Sequence, residues 1–327
     1  MRTYTATAVL TAALMAFGLA SANALEKDGR SLYDVVKERG VLFVGNKYDF
    51  PPGGYMDKDG KPAGIDLEFG KYIADKLGVK FESKQITSKT RIPVLLNGDI
   101  DVALAVMNPS RERAKTVDFT QPYYMSGLAI MVRKGSGIKT VADLADPKVV
   151  AGVQGSMDMT NFLRLQPKGK VIYFQEHPQA GLAVLNGKAD ATITNLETLE
   201  AFASKNPQQL EVVYPPFLPD PWVMGMRHND SKWRNFLEEC IMDATKDGSL
   251  AKWVEKHTGQ KMVYKPFVYP EYYLSQPDTA AGGRAVRARP PPTVHCGFHP
   301  RALGWPPRKT FRARILRDRN ERVSRLD

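Results

Sequence analysis

Two cysteines, Cys240 and Cys296, are all that 327 residues hold. That excludes a disulfide-dense scaffold and a cysteine-rich zinc module. Histidine is nearly as scarce, at five. No Gly-x-x-x-x-Gly-Lys-Ser/Thr, Gly-x-Gly-x-x-Gly, His-Glu-x-x-His or Gly-x-Ser-x-Gly stretch occurs, so the common signatures of nucleotide, zinc-protease and hydrolase chemistry are missing. Beyond the N-terminus no run approaches the roughly 20 apolar residues that a membrane span needs. Acidic residues are sparse at one end only: residues 278–327 carry 12 Arg or Lys against four Asp or Glu, a surplus of eight out of a net +11. The basic balance therefore belongs to a tail and is no argument for a nucleic-acid-binding body.

What is present starts with a leader. Arg2 precedes an apolar stretch from Ala6 to Ala20 and then Ala22-Asn23-Ala24, the form of a cleaved secretory signal. Cleavage after Ala24, with no Cys at that point for a lipid anchor, predicts an exported protein. After about Gln276 the chain turns Arg- and Pro-rich, as in 284–292, and is expected to stay disordered and without a selected role. His295, Cys296 and His299 lie in this tail; three side chains in a disordered arm make a poor metal site, and no metal or cofactor is expected.

Between the ends, short continuous apolar runs at 41–44, 101–106, 149–153, 189–194 and 211–214 suit strands buried on both faces. Helical patterns lie between them: Phe69, Ile73 and Leu77 before Gly78; Ile92, Leu95 and Leu96 before Asn97-Gly98; Leu182 and Leu185 before Asn186-Gly187; Phe236 and Ile241, then Trp253, with Gly248 between. The alternation predicts an α/β fold of βαβ units. Residues 95–102 echo residues 184–191, each a helix ending at Asn-Gly before a strand near an Asp. Two similar lobes with a cleft between them follow. The loops beyond Val44, Val106, Val153 and Thr194, at the carboxyl ends of strands, are where a ligand is expected.

Those loops hold the candidate residues. In the first, Tyr48 or Phe50 would either stack on a ligand or pack the loop. In the second, Ser110 is a good N-cap for a helix-like turn, and Arg113 offers a planar fork for a carboxylate or else pairs with Glu112 or Asp118. In the third, Gly155 and Ser156 would offer N–H and hydroxyl groups to an anion or simply start a helix. In the fourth, Asn195 reads first as a helix cap, with Glu197 close by. His177, His228 and His257 have neighbours that suggest surface positions. Cys240 sits in a helical pattern and reads as a buried thiol.

Taken together the motifs resemble the extracytoplasmic solute-binding proteins of family 3, the polar amino-acid receptors of ABC importers. The resemblance rests on Gly64-Ile-Asp-Leu-Glu-Phe-Gly-Lys-Tyr-Ile-Ala-Asp-Lys-Leu77, Arg91-Ile-Pro, Asn97-Gly-Asp-Ile-Asp, the stretch from Glu112 to Tyr124, and Asp247-Gly-Ser-Leu. It implies a two-lobed fold, each lobe a mostly parallel sheet flanked by helices. Lobe one would comprise 25–126 with 221–275 and lobe two 127–220, hinged near 124–127 and 219–222. It also implies a monomer in the periplasm that passes a small ligand to a membrane permease and does no chemistry on it.

By position, Arg113 corresponds to the family's carboxylate clamp, Asn108 and Ser110 to its neighbours, Phe50 to an aromatic cover, and Gly155, Ser156 and Met157 to a carboxylate-contacting stretch. Ser88 and Arg91 resemble residues of acidic-amino-acid receptors. Asn195 stands where relatives place an Asp for the ligand ammonium, and Lys47 where some place another Asp. A positive cleft of Arg113, Lys47 and Arg91 then predicts an acidic amino acid or small carboxylate, with Glu197 as a candidate negative partner. The alternative is an enzyme like the cyclohexadienyl or arogenate dehydratases of this fold, with Glu197 as general acid; a third reading is the sensor part of a receptor.

Overall fold

The computed structural model describes residues 29–268. The leader, the basic tail and the His295–Cys296–His299 cluster lie outside the described residues.

The chain forms a mixed α/β structure around a twisted sheet. Its strands are β1 (Val41–Asn46), β2 (Asp49–Phe50), β3 (Gly54–Met56), β4 (Pro62–Ala63), β5 (Lys80–Gln85), β6 (Val102–Met107), β7 (Asp118–Phe119), β8 (Tyr124–Arg133), β9 (Val149–Val153), β10 (Lys170–Phe174), β11 (Ala191–Asn195) and β12 (Leu210–Met226). The main order is β10-β9-β11-β8-β12-β6-β1-β5, with β7 on β12 and β2-β3-β4 as a small separate sheet. β5, β1 and β6 are mutually parallel, as are β10, β9 and β11. The antiparallel members are β8 and β12, which run side by side between the two parallel sets. The sheet thus has two halves, and only these two strands pass between them.

Both halves bury both faces. In β6 all six residues are buried, and the period of two splits them: Val102, Leu104 and Val106 join the cluster under the helices of residues 32–39, 65–77 and 231–258, while Ala103, Ala105 and Met107 join Ile86, Leu95 and Ile100 opposite. β8 does the same, with Ala129 and Met131 in one core and Ile130 and Val132 in the other. β5, Lys-Phe-Glu-Ser-Lys-Gln, carries no continuous apolar run; it is an edge strand and escapes a reading based on such runs.

The helices follow their sequence signals. They are α1 (Leu32–Arg39), α2 (Ile65–Leu77), α3 (Arg91–Leu96), α4 (Met157–Leu165), α5 (His177–Leu185), α6 (Leu196–Ala203), α7 (Ser231–Lys246) and α8 (Ser249–Thr258). α2 ends at Gly78, whose φ of 71° closes the last turn. Asn97-Gly98 and Asn186-Gly187 end α3 and α5. Cys240 is buried in α7, and burial raises its thiol pKa.

The internal echo has a structural cause. Asp101 accepts the N–H of Phe43 at 2.8 Å, and Asp190 accepts that of Val149 at 2.8 Å. Each Asp thus satisfies a backbone donor on the neighbouring parallel strand. Arg227 donates one nitrogen to the carbonyls of Leu95 and Ile100, and Arg133 does the same to Val184 and Ala189. Both Asn-Gly turns are therefore clamped by an arginine from an antiparallel strand or its end. Among the described residues no helix is long and apolar enough to cross a membrane.

Candidate functional site

The site lies where the loops after β1, β6, β9 and β11 meet, at the carboxyl ends of the parallel strands. Its geometry starts from the α2 signature. Asp66, in the first turn of α2, is buried; it accepts the Tyr123 hydroxyl at 2.6 Å and the Val106 N–H at 3.0 Å. Burial raises its pKa to about 6, against the pull of those two donors. Val106 has a φ of 49°, a costly conformation for a β-branched residue. Asp66 holds its N–H, while Arg91 donates to its carbonyl at 3.0 Å and to that of Ala105 at 2.9 Å. The end of β6 is thereby fixed, and with it the loop that carries Asn108, Ser110 and Arg113.

Arg113 bridges the halves. One guanidinium nitrogen donates to the Asn108 carbonyl at 2.7 Å and the other to the Gly155 carbonyl at 2.8 Å. The surface alternative is removed, because Glu112 pairs with Lys115 and Asp118 with His228. Ser110 does accept the Arg113 N–H at 3.2 Å, but the expected helix is only a 3-10 turn over Arg113–Lys115. That turn is too short to act as a helix N-terminus for an anion. Asn108 donates to the Pro221 carbonyl at 3.0 Å and so fastens this loop to β12.

Lys47 is buried, donates to Ser88 at 3.0 Å, lies 3.5 Å from an Asp49 oxygen and sits 4.6 Å above the Phe50 ring. Burial lowers its pKa, with Asp49 opposing. Phe50 is buried edge-on to His177 and Trp222, with centroids 4.5 and 6.2 Å away. Tyr48 turns to Ser83 at 2.9 Å instead. Arg91 is buried, and its Nε has no hydrogen-bond partner; burial, then the nearby Arg113, lower its pKa to about 9, which leaves it cationic at neutral pH.

On the opposite wall Gly155 has a φ of 76°, and a Cβ there would stand 2.7 Å from backbone atoms of Ser88 and Lys89. Only glycine allows so close a meeting of the two halves. Ser156 and Met157 start α4, and the Ser156 hydroxyl is buried without a partner. Further bonds cross the same line: the His177 N–H to Asp49 at 3.1 Å and the Thr198 hydroxyl to the Pro51 carbonyl at 2.5 Å.

Three sequence expectations need correction. Glu197 accepts from the Tyr124 hydroxyl at 2.8 Å and from Ser126 at 2.5 Å; both its oxygens are engaged on β8, which leaves it poorly placed as a ligand partner or general acid. Asn195 precedes α6 but makes no side-chain cap bond; its amide donates to Asp220 at 2.5 Å. His177 is buried and the His257 side chain only 4% exposed, so neither is a surface residue. Burial and the charges of Lys47 and Arg91 hold His177 neutral.

Sequence reasoning missed Asp158 and Asp220, both buried at this site. Burial, then repulsion from Asp220, raise the Asp158 pKa to about 7. Burial also raises that of Asp220, against the hydrogen bond from Asn195. An acid in the first turn of α4 reads as an ordinary helix start, and the one local hint of Asp220 is the break it makes in the apolar pattern of residues 218–226. The raised Asp158 pKa has a measurable sign. From about pH 4 to pH 7 the native state keeps a proton that the unfolded chain has lost, so this carboxyl costs stability progressively as pH rises. Asp158→Asn should therefore gain in melting temperature over the parent, and the gain should widen from pH 5 to pH 8. Melting curves of both proteins across that range check this; a gap that is constant or narrows would contradict it. Among the described residues no group of three His, Cys, Asp or Glu could hold a metal ion.

The geometry of a ligand site between two α/β halves agrees with what the chain is similar to. The sequence pattern of the bacterial extracellular solute-binding proteins, family 3, matches residues 42–260. The chain belongs to this family. It is 35% identical to a glutamine-binding protein of Geobacillus stearothermophilus over 60% of this chain and 76% of that protein. It is 26% identical to a glutamate/aspartate import solute-binding protein of Salmonella typhimurium, over 76% of this chain and 87% of that protein. Among solved structures, a mutant of ArgBP from T. maritima superposes with a TM-score of 0.66 at 32% identity, covering 70% of this chain and 99% of that one. The family is one of extracellular solute-binding proteins, and the named relatives are amino-acid-binding proteins rather than enzymes, which supports a binding protein over the dehydratase alternative. Their named solutes differ, and the family does not by itself choose among them.

Proposed function

We infer that this protein binds an acidic amino acid, or a closely related small dicarboxylate, in the cleft between its halves and delivers it to the permease of an ABC importer. One observation carries the reading. Arg91 is fully buried and Arg113 half-buried, yet both direct their hydrogen bonds to backbone carbonyls, and among the described residues neither has a carboxylate within ion-pair distance. The buried Asp158 and Asp220 favour both charges from beyond ion-pair distance, so neither guanidinium has a direct carboxylate partner, and a ligand with two carboxylates would supply one to each. Lys47, held by Ser88 and Asp49, adds to the same field.

The lobes would be 25–126 with 221–275, and 127–220. The hinge would be the paired stretch in which Tyr124–Leu128 of β8 lies against Leu218–Trp222 of β12, closing the halves over the ligand by rotation of two adjacent strands. Phe50, Asn108, Ser110, Gly155, Ser156 and Met157 would shape the pocket around the anion. Cleavage after Ala24 would release a periplasmic monomer.

A thermal-shift screen of the common amino acids and small dicarboxylates tests this. A ligand that binds only the folded state stabilises it by about 2.7 kcal/mol at a hundred times its dissociation constant. Glutamate, aspartate or a dicarboxylate should raise the melting temperature with concentration. A rise with arginine or lysine alone would overturn the acidic-ligand reading and leave the transport role standing.

A further inference from the structure

The two outer strands of the main sheet meet solvent differently. β5 closes one side, and its Lys-Phe-Glu-Ser-Lys-Gln puts charge along the edge; Lys84 also folds onto the Asp99 carbonyl at 2.7 Å. Charge of this kind keeps an edge from pairing with another chain. β10 closes the other side and reads Lys-Val-Ile-Tyr-Phe. Beyond Lys170, which pairs with Asp146 at 2.5 Å, the strand carries no charge. Among the described residues β9 is its one strand partner.

The open edge can be located residue by residue. The Phe174 carbonyl accepts the Gln154 N–H at 3.0 Å, so Phe174 faces β9. By alternation Lys170 and Ile172 face it too, and the backbone groups of Val171 and Tyr173 point outward. Gln175 is closed off, because its N–H donates to the Gln179 side chain at 3.1 Å. Beside this edge runs a groove of about 470 Å³, lined by Tyr173 of β10 and by Gln179, Leu182, Asn186 and Lys188 on and just after α5. Tyr173 is 49% exposed and Leu182 47%, so apolar surface flanks the unpaired backbone.

We propose that β10 pairs antiparallel with β10 of a second copy of this chain, about a two-fold axis at Ile172, and joins two sheets edge to edge. The occupant follows from self-complementarity. Centred at Ile172, Val171 of each copy lies opposite Tyr173 of the other. Both outward-facing residues then exchange their backbone hydrogen bonds, and two pairs of a β-branched with an aromatic side chain form. Charge selects the direction. Lys168, exposed in the turn before the strand, falls opposite Glu176, the N-cap of α5 after it, at both ends of the pairing. A parallel arrangement would set lysine beside lysine. The contact is small, so the protein is a monomer when dilute and a dimer when concentrated. β8 lies three places from β10 in the sheet order, so the pairing leaves the crossing strands free and each copy keeps its own cleft.

Sedimentation velocity of the full chain from about 5 to about 500 μM, the range in which a small transient contact associates, tests this. The sedimentation coefficient should rise with concentration toward that of a dimer. Tyr173→Lys puts a charge into both cross-strand pairs at once and should weaken the dimer about tenfold or more. Its melting temperature should stay near the parent's, because the Tyr173 side chain is half exposed. Tyr173→Pro is the second variant: it removes an outward N–H that β9 does not use, and should abolish the dimer. Glu82→Lys, on the opposite edge in β5, should change nothing. A parent that stays monomeric to the highest concentration would overturn the proposal, whether the edge is bare or covered by residues 269–327 of the same chain. A dimer that both Tyr173 variants leave intact, or that Glu82→Lys weakens equally, would also overturn it, because the interface would then lie elsewhere.

Discussion

Arg113→Ala should abolish the ligand-induced rise in melting temperature at ligand concentrations that stabilise the parent, with a loss of affinity of about 100-fold or more. The estimate follows from removing a bidentate, charge-assisted partner of a carboxylate in a partly dry site, which costs about 2–5 kcal/mol. Arg113→Lys should rescue little, because an ammonium cannot present two parallel N–H groups to one carboxylate. The ligand-free protein should hardly notice either change. Arg113 is half exposed and makes only two bonds to backbone carbonyls, one of which crosses between the halves. Removing it also relieves Arg91 of the guanidinium beside it. Titration calorimetry together with ligand-free melting separates the two effects. A variant that binds as the parent does would place the carboxylate elsewhere, and one that unfolds would make Arg113 a structural residue.

Gly64→Ala should damage the fold more than any comparable change in the site loops. Gly64 is the N-cap of α2 with a φ of 131°, a conformation open almost only to glycine. A Cβ there would stand 2.2 Å from the Gly53 carbonyl oxygen and 2.9 Å from the Gly54 Cα. Those are backbone atoms, and they are held: the Ile65 and Asp66 N–H groups donate to the Pro52 and Gly53 carbonyls, each at 2.9 Å. Strain and lost hydrogen bonds together should cost about 3 kcal/mol or more, or roughly 6–12 °C in a chain of this size. Because Asp66 follows two residues later and holds the end of β6, ligand affinity should fall as well. Urea unfolding of the variant checks the prediction; a midpoint close to the parent's would mean that the loop at Gly53 gives way easily.

The role of the α2 signature became visible in the same place. In the sequence, Gly64-Ile65-Asp66 reads as a helix start with an acid in its first turn. In the structure that acid is buried and holds Val106 in an unfavourable backbone conformation, 40 residues further on. The glycine permits the loop to approach, the acid fixes the strand end, and the strand end presents Arg113.

Local sequence determined the elements of this protein. The continuous apolar runs of β1, β6, β9 and β11, the helical spacing of Phe69, Ile73 and Leu77, and the glycines that end the helices each express one backbone geometry, and these elements are present where the pattern put them, whereas β8 lies outside those runs. The repeat of Asn-Gly and Asp in the two halves was equally legible, because the same hydrogen bond to a neighbouring strand recurs in both. Arg113 and Arg91 were legible as candidates from residue type and from the family's motifs.

Only the tertiary structure decided how the charges are shared. Positive charge in the cleft loops could be counted in the sequence, but Asp158 and Asp220 could not be set against it. Electrostatic interaction depends on distance and burial, and β12 and α4 bring these acids to the cleft from positions far along the chain. For the same reason Glu197 looked available until Tyr124 and Ser126 were found to hold it, and Asn195 looked like a cap until its amide was found on Asp220. A side chain's partners are set by which strands cross next to it, and that information is spread over the whole fold rather than held in any one segment.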